Sequence, residues 1–168
     1  MELSKKERLG LIYQLRILEA LYPDEAEHFS EKRTALENGY SLHYEWLVES
    51  INDDMSPEEC KEVLNILDMY RAITFGLKKL PNHDPLKTHH MAKFHGFDGN
   101  NEGQLMGYVR YFIMDLGRFE ELKEGKFPSF NSHTPMLDTY RRMLKVWLSF
   151  KNRFDLSRGN IADLLGAD

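Results

Sequence analysis

The 168 residues carry 22 Lys and Arg against 27 Asp and Glu, a net charge of −5 near neutrality, with 42% apolar and 29% charged residues. That is the balance of a folded globular chain large enough for one sizeable core or two small helical groups, and its acidity provides no general attraction for nucleic acid or an anionic membrane. A lone cysteine, Cys60, excludes an internal disulfide framework, and no uncharged run approaches the roughly 20 residues of a membrane span, so the expected setting is a reducing cytoplasm with no membrane partner.

Leu, Glu, Lys and Met outnumber the β-branched residues, which favours helix throughout. Ser4-Lys5-Lys6-Glu7 has the form of a capping box, and Leu9, Ile12, Leu15, Leu18 and Leu21 follow at helical spacing until Pro23 stops them. Asp24 is placed to cap a second helix, which Gly39 ends in a left-handed turn. A third helix is expected from about Leu42 to Ile51. Ser56-Pro57-Glu58-Glu59 then joins an N-cap, a first-turn proline and two acidic residues, the strongest helix start in the chain, and an apolar stripe from Cys60 to Leu80 follows. Residues 81–95, with two prolines and four histidines, read as an irregular connection.

The stretch Gly96 to Phe119 is the least ordinary. Leu105, Tyr108, Val109, Phe112, Ile113, Leu116 and Phe119 form one apolar face, and the other side carries Gly103, Met106, Gly107, Met114 and Gly117 with Arg110 as its one full charge. A helix so poor in polar surface is expected to be buried, over about 102–119, at the centre of the fold. Phe127 and Phe130 are expected to pin the following turn-rich segment to the core. Thr134-Pro135 opens another helix by cap-plus-proline logic, and a short one follows Ser157, with Leu156 and Ile161 spaced as a hydrophobic staple. The expected fold is all-α, with about seven helices in a single domain, 1–168. Its N-terminal group, 1–80, and C-terminal group, 96–168, are joined through 81–95.

Gly96-Phe97-Asp98, Gly107-Tyr108-Val109-Arg110-Tyr111, Phe130-Asn131, Thr134-Pro135-Met136, Tyr140, Arg142-Met143-Leu144 and Trp147, with Asn38-Gly39-Tyr40 and Asp68-Met69-Tyr70 before them, resemble the shared pattern of the YfbU family, small bacterial proteins of unassigned function. The resemblance covers nearly the whole chain. It implies a bacterial cytosolic, predominantly helical protein and brings with it no catalytic residue; the histidine-rich connection lies outside the pattern.

Arg110 is the first candidate for a role. A guanidinium keeps its charge, so on an apolar helix it must meet a carboxylate or carbonyl, with Asp98, Glu45 or Asp68 in reach as partners, or open into a water-filled cleft. His83, His89, His90 and His95 lie within 13 residues but lack the i, i+3 or i+4 pairing of a metal site, so surface histidines are the expected reading, with no metal and no cofactor. Cys60 reads as a buried thiol. From Glu19 to Glu62 there are 13 acidic residues against three basic, and from Tyr140 to Arg158 six basic against one acidic. Arg141, Arg142, Lys145 and Arg153 form a basic strip opposite an apolar stripe; Tyr140 and Trp147 belong to the core side and are not base-stacking platforms. The leading expectation is a non-enzymatic interaction or regulatory protein acting as a homo-oligomer, a dimer above all, with a further protein partner allowed. A nucleic-acid-binding regulator using the basic strip, with Gly39 to Leu80 as a helix-turn-helix derivative, comes second. A metal-binding protein or enzyme comes third.

Overall fold

Serine caps set three of the helix starts in the computed structural model, which describes residues 1–125 and 128–166. Ser4, Ser56 and Ser157 each accept from the amide three residues on, while Glu7, Glu59 and Asn160 return a bond to the cap, opening α1 (Lys5–Leu21), α3 (Pro57–Lys79) and α6 (Arg158–Leu165). Between them lie α2 (Ala26–Asn38), α4 (Gly103–Arg110) and α5 (Leu137–Ser149). The fold is all-α; among the described residues the only β pairing is the isolated parallel bridge of Phe97 with Asn131.

The chain divides into two compact units, 1–54 and 55–168. The boundary falls ahead of α3 and not in the 81–95 connection, so α3 belongs with the later helices. In the first unit, α1 and α2 form a helical hairpin around Ile12, Leu15, Leu36 and Tyr44. Gly39 ends α2 at φ +74°, as expected of a left-handed terminator, and Arg8 Nη1 donates to the Leu36 carbonyl at 2.9 Å, satisfying an acceptor that the last turn leaves free. The α2 start differs from expectation. It is preceded by a 3-10 turn, Pro23–Glu25, and Asp24 makes no capping bond. The helix expected from Leu42 to Ile51 is a 3-10 segment, Ser41–Leu47, in which Tyr44 alone is buried. One buried ring does not supply the apolar face that stabilises successive α turns.

In the second unit α3 holds the central position. Val63, Ile66, Leu67, Met69, Tyr70, Ala72, Ile73, Gly76 and Leu77 are all buried along it, against α4, α5 and α6. Gly76 is required by close packing, because a Cβ there would lie 2.8 Å from Ile161 Cδ1. The stretch 102–119 is not the buried centre that its composition implies. It runs as α4, continues as a π-helical segment Tyr111–Asp115, and turns out of helix at Gly117 with φ +62°. Val109 and Ile113 are buried, whereas Arg110, Tyr111, Met114 and Leu116 are exposed, and Cβ atoms on Gly103 or Gly107 would meet open space. A low charge count is compatible with an internal side, but among the described residues no element packs on Gly103 or Gly107. Phe130 is buried as expected; Phe127 lies outside the described residues. Leu156, just ahead of α6, and Ile161, within it, are both buried.

The first unit's core is small enough for one residue to govern it. Leu36→Ala is expected to cost about 2–5 kcal/mol and to speed amide exchange across 1–54 while the amides of α3 and α5 stay protected, which hydrogen-exchange mass spectrometry reads directly.

Candidate functional site

A polar network in the second unit joins the loop 96–102 to residues 130–137. Phe97 donates its amide to the Phe130 carbonyl at 3.0 Å and accepts from Ser132 at 3.1 Å. This pairing brings the backbones so close that a Cβ on Gly96, at φ +83°, would lie 2.0 Å from the Phe130 oxygen. Phe130 itself sits at φ +54° and His133 at +57°, so the turn holds two non-glycine residues in the left-handed region. Asn131 Oδ1 accepts from Gly99 at 3.1 Å and from His133 at 2.9 Å, closing the turn on the loop. Tyr140, fully buried, donates its hydroxyl to the Gly96 carbonyl at 2.9 Å; burial pushes this phenol well above its ordinary range.

Glu102 is the hub. Its carboxylate accepts from the amides of Asp98 at 2.9 Å, Met136 at 2.9 Å and Leu137 at 2.8 Å. It therefore occupies the positive end of α5 and supplies the cap that the helix lacks locally, since Met136 makes no side-chain capping bond. The expected start at Thr134-Pro135 is accordingly displaced to Leu137. Sequence reasoning missed Glu102; its signal is an acidic residue after two asparagines at a helix entry, with a donor-rich turn elsewhere.

Asp98 is buried, but its partners are not arginine. It accepts from the Asn100 amide at 3.1 Å and from the Asn101 side chain, and these two bonds, the Asn101 one first, hold its carboxyl below the usual aspartate range. Arg110 is exposed, and among the described residues it has no hydrogen-bond or ion-pair partner. The internal ion pair expected of it is absent because its side of α4 faces solvent, where a guanidinium needs no protein acceptor. Asp68 instead lies 3.8 Å from Arg71.

The basic strip is shorter than expected. Arg141 pairs through both Nε and Nη2 with Glu62, at 2.8 and 2.9 Å, and Arg142 bonds Thr139 at 3.0 Å. Lys145 is exposed on α5, while Arg153 lies beyond the helix end and rests over the rings of Trp147 and Phe154 at 5.1 and 5.3 Å. Tyr140 and Trp147 are buried, as their helical phase requires. Of the histidines, His83 and His90 are exposed, His89 accepts from the Met91 amide at 3.2 Å, and His95 donates to the His90 carbonyl at 2.6 Å. Among the described residues no three His, Cys, Asp or Glu side chains are grouped to hold a metal ion. Cys60 is half-buried, at the edge of the core. Asp84, the other buried carboxylate, accepts from the Leu86 amide at 3.0 Å and pairs with Arg158 at 2.7 Å.

Gly96, Phe97, Asp98, Phe130, Asn131, Met136 and Tyr140 thus meet in one network, and they are the residues on which the sequence pattern is centred. The match to the YfbU domain extends over residues 1–167. The chain belongs to the YfbU family. A similar protein, UPF0304 protein MJECS11 of Methanocaldococcus jannaschii, is 38% identical over 169 residues, covering 98% of this chain and 99% of its own length. Family membership comes with no assigned activity, and the central motif has a structural reading in which each polar group is used to join the loop to α5.

Two outcomes test that reading. Glu102→Ala leaves two amides at the α5 start without their acceptor and is expected to cost about 2–4 kcal/mol by chemical denaturation, with Glu102→Gln costing less. The second concerns acid. A carboxyl whose pKa is lower in the folded than in the unfolded chain adds stability above the ordinary aspartate value, about 3.9, and loses it as pH falls through the folded value. Asp98 and Asp84 both have this sign. Asp98→Asn is therefore expected to be less stable than the parent at neutral pH and to converge with it as pH falls through the folded value, as denaturation midpoints across pH will show.

Proposed function

We propose that the protein is a non-enzymatic, self-associating interaction or regulatory protein of the cytoplasm, and that the outer face of α1 is its association surface. The observation that carries this reading is a second apolar face on one helix. Ile12 and Leu15 of α1 point into the hairpin core, yet on the other side Leu9, Tyr13, Ile17 and Leu21 are 49%, 55%, 58% and 65% exposed. From Leu9 to Leu21 the exposed residues between them are Gly10, Gln14, Arg16 and Ala20, and Arg16, the one charge, turns to Glu37 at 2.9 Å. A patch of this kind on a helix marks a contact surface.

The first unit needs such a contact. A segment of 54 residues buries little apolar surface by itself, and of the 17 large apolar residues that are exposed among the described residues, 11 lie within it. An uncharged apolar stripe is complementary to its own copy, so the arrangement that covers it is a two-fold pairing of α1 with α1 of a second chain. Open space beside Gly10, with nothing within 4 Å of where a Cβ would stand, lets the two backbones approach.

The lone half-buried thiol supports a reducing compartment, and no helix of the described residues is long and apolar enough to cross a membrane. The commitment of Asp84, Asp98 and Glu102 to amide and arginine partners supports a non-enzymatic role. Nucleic-acid binding is less favoured, because Arg141 is held by Glu62 and only Arg142 and Lys145 remain as exposed cations along α5.

Light scattering of the full chain at micromolar concentration is expected to give a dimer. Ile17→Glu should raise the dimer dissociation constant by at least about tenfold, near 1.4 kcal/mol, with helical content unchanged, while Leu148→Glu, on an exposed apolar position of α5, should leave association alone. A monomeric parent protein would overturn the proposal.

A further inference from the structure

A cavity of about 400 Å³ in the second unit has a composition unlike the rest of this acidic chain. Leu77, Ala92, Phe94 and Leu122, all at least nine-tenths buried, present an apolar floor, and Lys78, Lys87, Lys93 and Lys123 stand around it. These lysines come from α3, the 81–95 connection and the segment after Phe119, so they are brought together by tertiary structure and not by a local charge run.

The four cations are not equally occupied. Lys93 pairs with Glu124 at 2.9 Å and Lys123 with Glu120 at 2.6 Å. Lys87 has Asn82 Oδ1 at 3.5 Å and Lys78 lies 5.3 Å from the Phe75 ring centroid, and among the described residues neither has a carboxylate partner. Glu121, also on the cavity wall, is already engaged by Arg71 at 2.5 Å, and the same guanidinium packs 3.9 Å over the Phe119 ring, which fixes this wall in place. Two ammonium groups with no carboxylate partner among the described residues, over an apolar floor in a cavity of ligand size, form an amphipathic receptor.

We infer that this cavity binds a small amphipathic carboxylate, with its anionic head at Lys78 and Lys87 and its apolar body on Leu77, Ala92, Phe94 and Leu122. A monoanion fits better than a phosphate dianion, because Glu121 and Glu124 share the wall and repel a second negative charge. The apolar floor is wasted on a head group alone, so an alkyl or aromatic body is part of the recognition.

Octanoate is the probe. Amide NMR titration of the full chain is expected to give saturable shifts centred on Leu77, Ala92 and Leu122, with binding at least tenfold tighter than acetate, inorganic phosphate or octyltrimethylammonium. Lys78→Glu and Lys87→Glu lie at the rim, outside the core, and each should weaken octanoate at least tenfold with an unchanged circular dichroism spectrum. Lys87→Ala, which adds no negative charge, should weaken it by less. Shifts centred elsewhere, equal binding of the cationic octyl compound, or lysine variants that bind octanoate as the parent does would each overturn the assignment.

Discussion

The Glu102 carboxylate is the interaction on which the second unit depends. A helix leaves its first amides without partners and gathers positive potential there, so the start of α5 needs an anion or a hydroxyl. The chain supplies one from 34 residues upstream, and the same carboxylate closes its own loop on the Asp98 amide. A single group thereby fixes where α5 begins and how the loop ahead of α4 lies against it. With α5 so placed, Tyr140 reaches the Gly96 carbonyl and its ring joins those of Tyr70, Phe94 and Phe97, at centroid separations of 5.4, 5.7 and 5.5 Å. Such aromatic contacts are worth having only when the backbones are held to the same register, which is what the Phe97–Asn131 bridge and the Gly96 approach do.

This explains why the YfbU pattern is centred on residues that make a joint. Gly96 is needed because no side chain fits under the Phe130 carbonyl, Asp98 because a charged acceptor organises the two asparagines behind it, and Asn131 because one side-chain oxygen answers two amides. Each is polar or small for a backbone reason. The side-chain acceptors of Asp98, Glu102 and Asn131 are engaged within the joint, and this redirects attention to surfaces: the outer side of α1 and the lysine-rimmed cavity.

Local physics was readable from the sequence, and long-range physics was not. Ser4, Ser56 and Ser157 act on amides three residues away, and Gly39 acts on its own φ, so their helix boundaries follow from residue types alone. The start of α5 did not follow, because its cap is distant; the proline pattern at Thr134-Pro135 describes a local alternative that the Glu102 bonds displace by two residues. Arg110 and the glycines of α4 failed for a related reason. A low density of charge on a helix face is compatible with burial but does not supply the neighbour that buries it, and among the described residues none covers this face, while α3 takes the central place. The basic strip was legible as a row of cations on α5, yet Glu62, from another helix, already neutralises Arg141. The cavity lysines were invisible as a group, since Lys78, Lys87, Lys93 and Lys123 share no periodicity.

The two surfaces differ in what holds them. The cavity floor consists of residues that the second unit buries for its own stability, and one wall is braced by Arg71 against Phe119 and Glu121, so its shape exists before any ligand arrives. Preorganisation of that kind lets a modest apolar ligand bind without first ordering its receptor. The face of α1 is the opposite case: it belongs to a hairpin whose core is built on Ile12, Leu15, Leu36 and Tyr44, and covering it adds apolar burial that the hairpin does not find within itself. Association on this face, as proposed, would therefore contribute to folding of the first unit, and the proposed ligand would contribute little to folding of the second. Because the cavity is lined wholly from 55–168 and the α1 face wholly from 1–54, the two events are coupled only to the extent that a state of one unit alters the other, and any such coupling must act equally in both directions. A ligand that changed the dimer affinity would thus identify the pair as a regulatory device; independence would make them two separate properties of one chain.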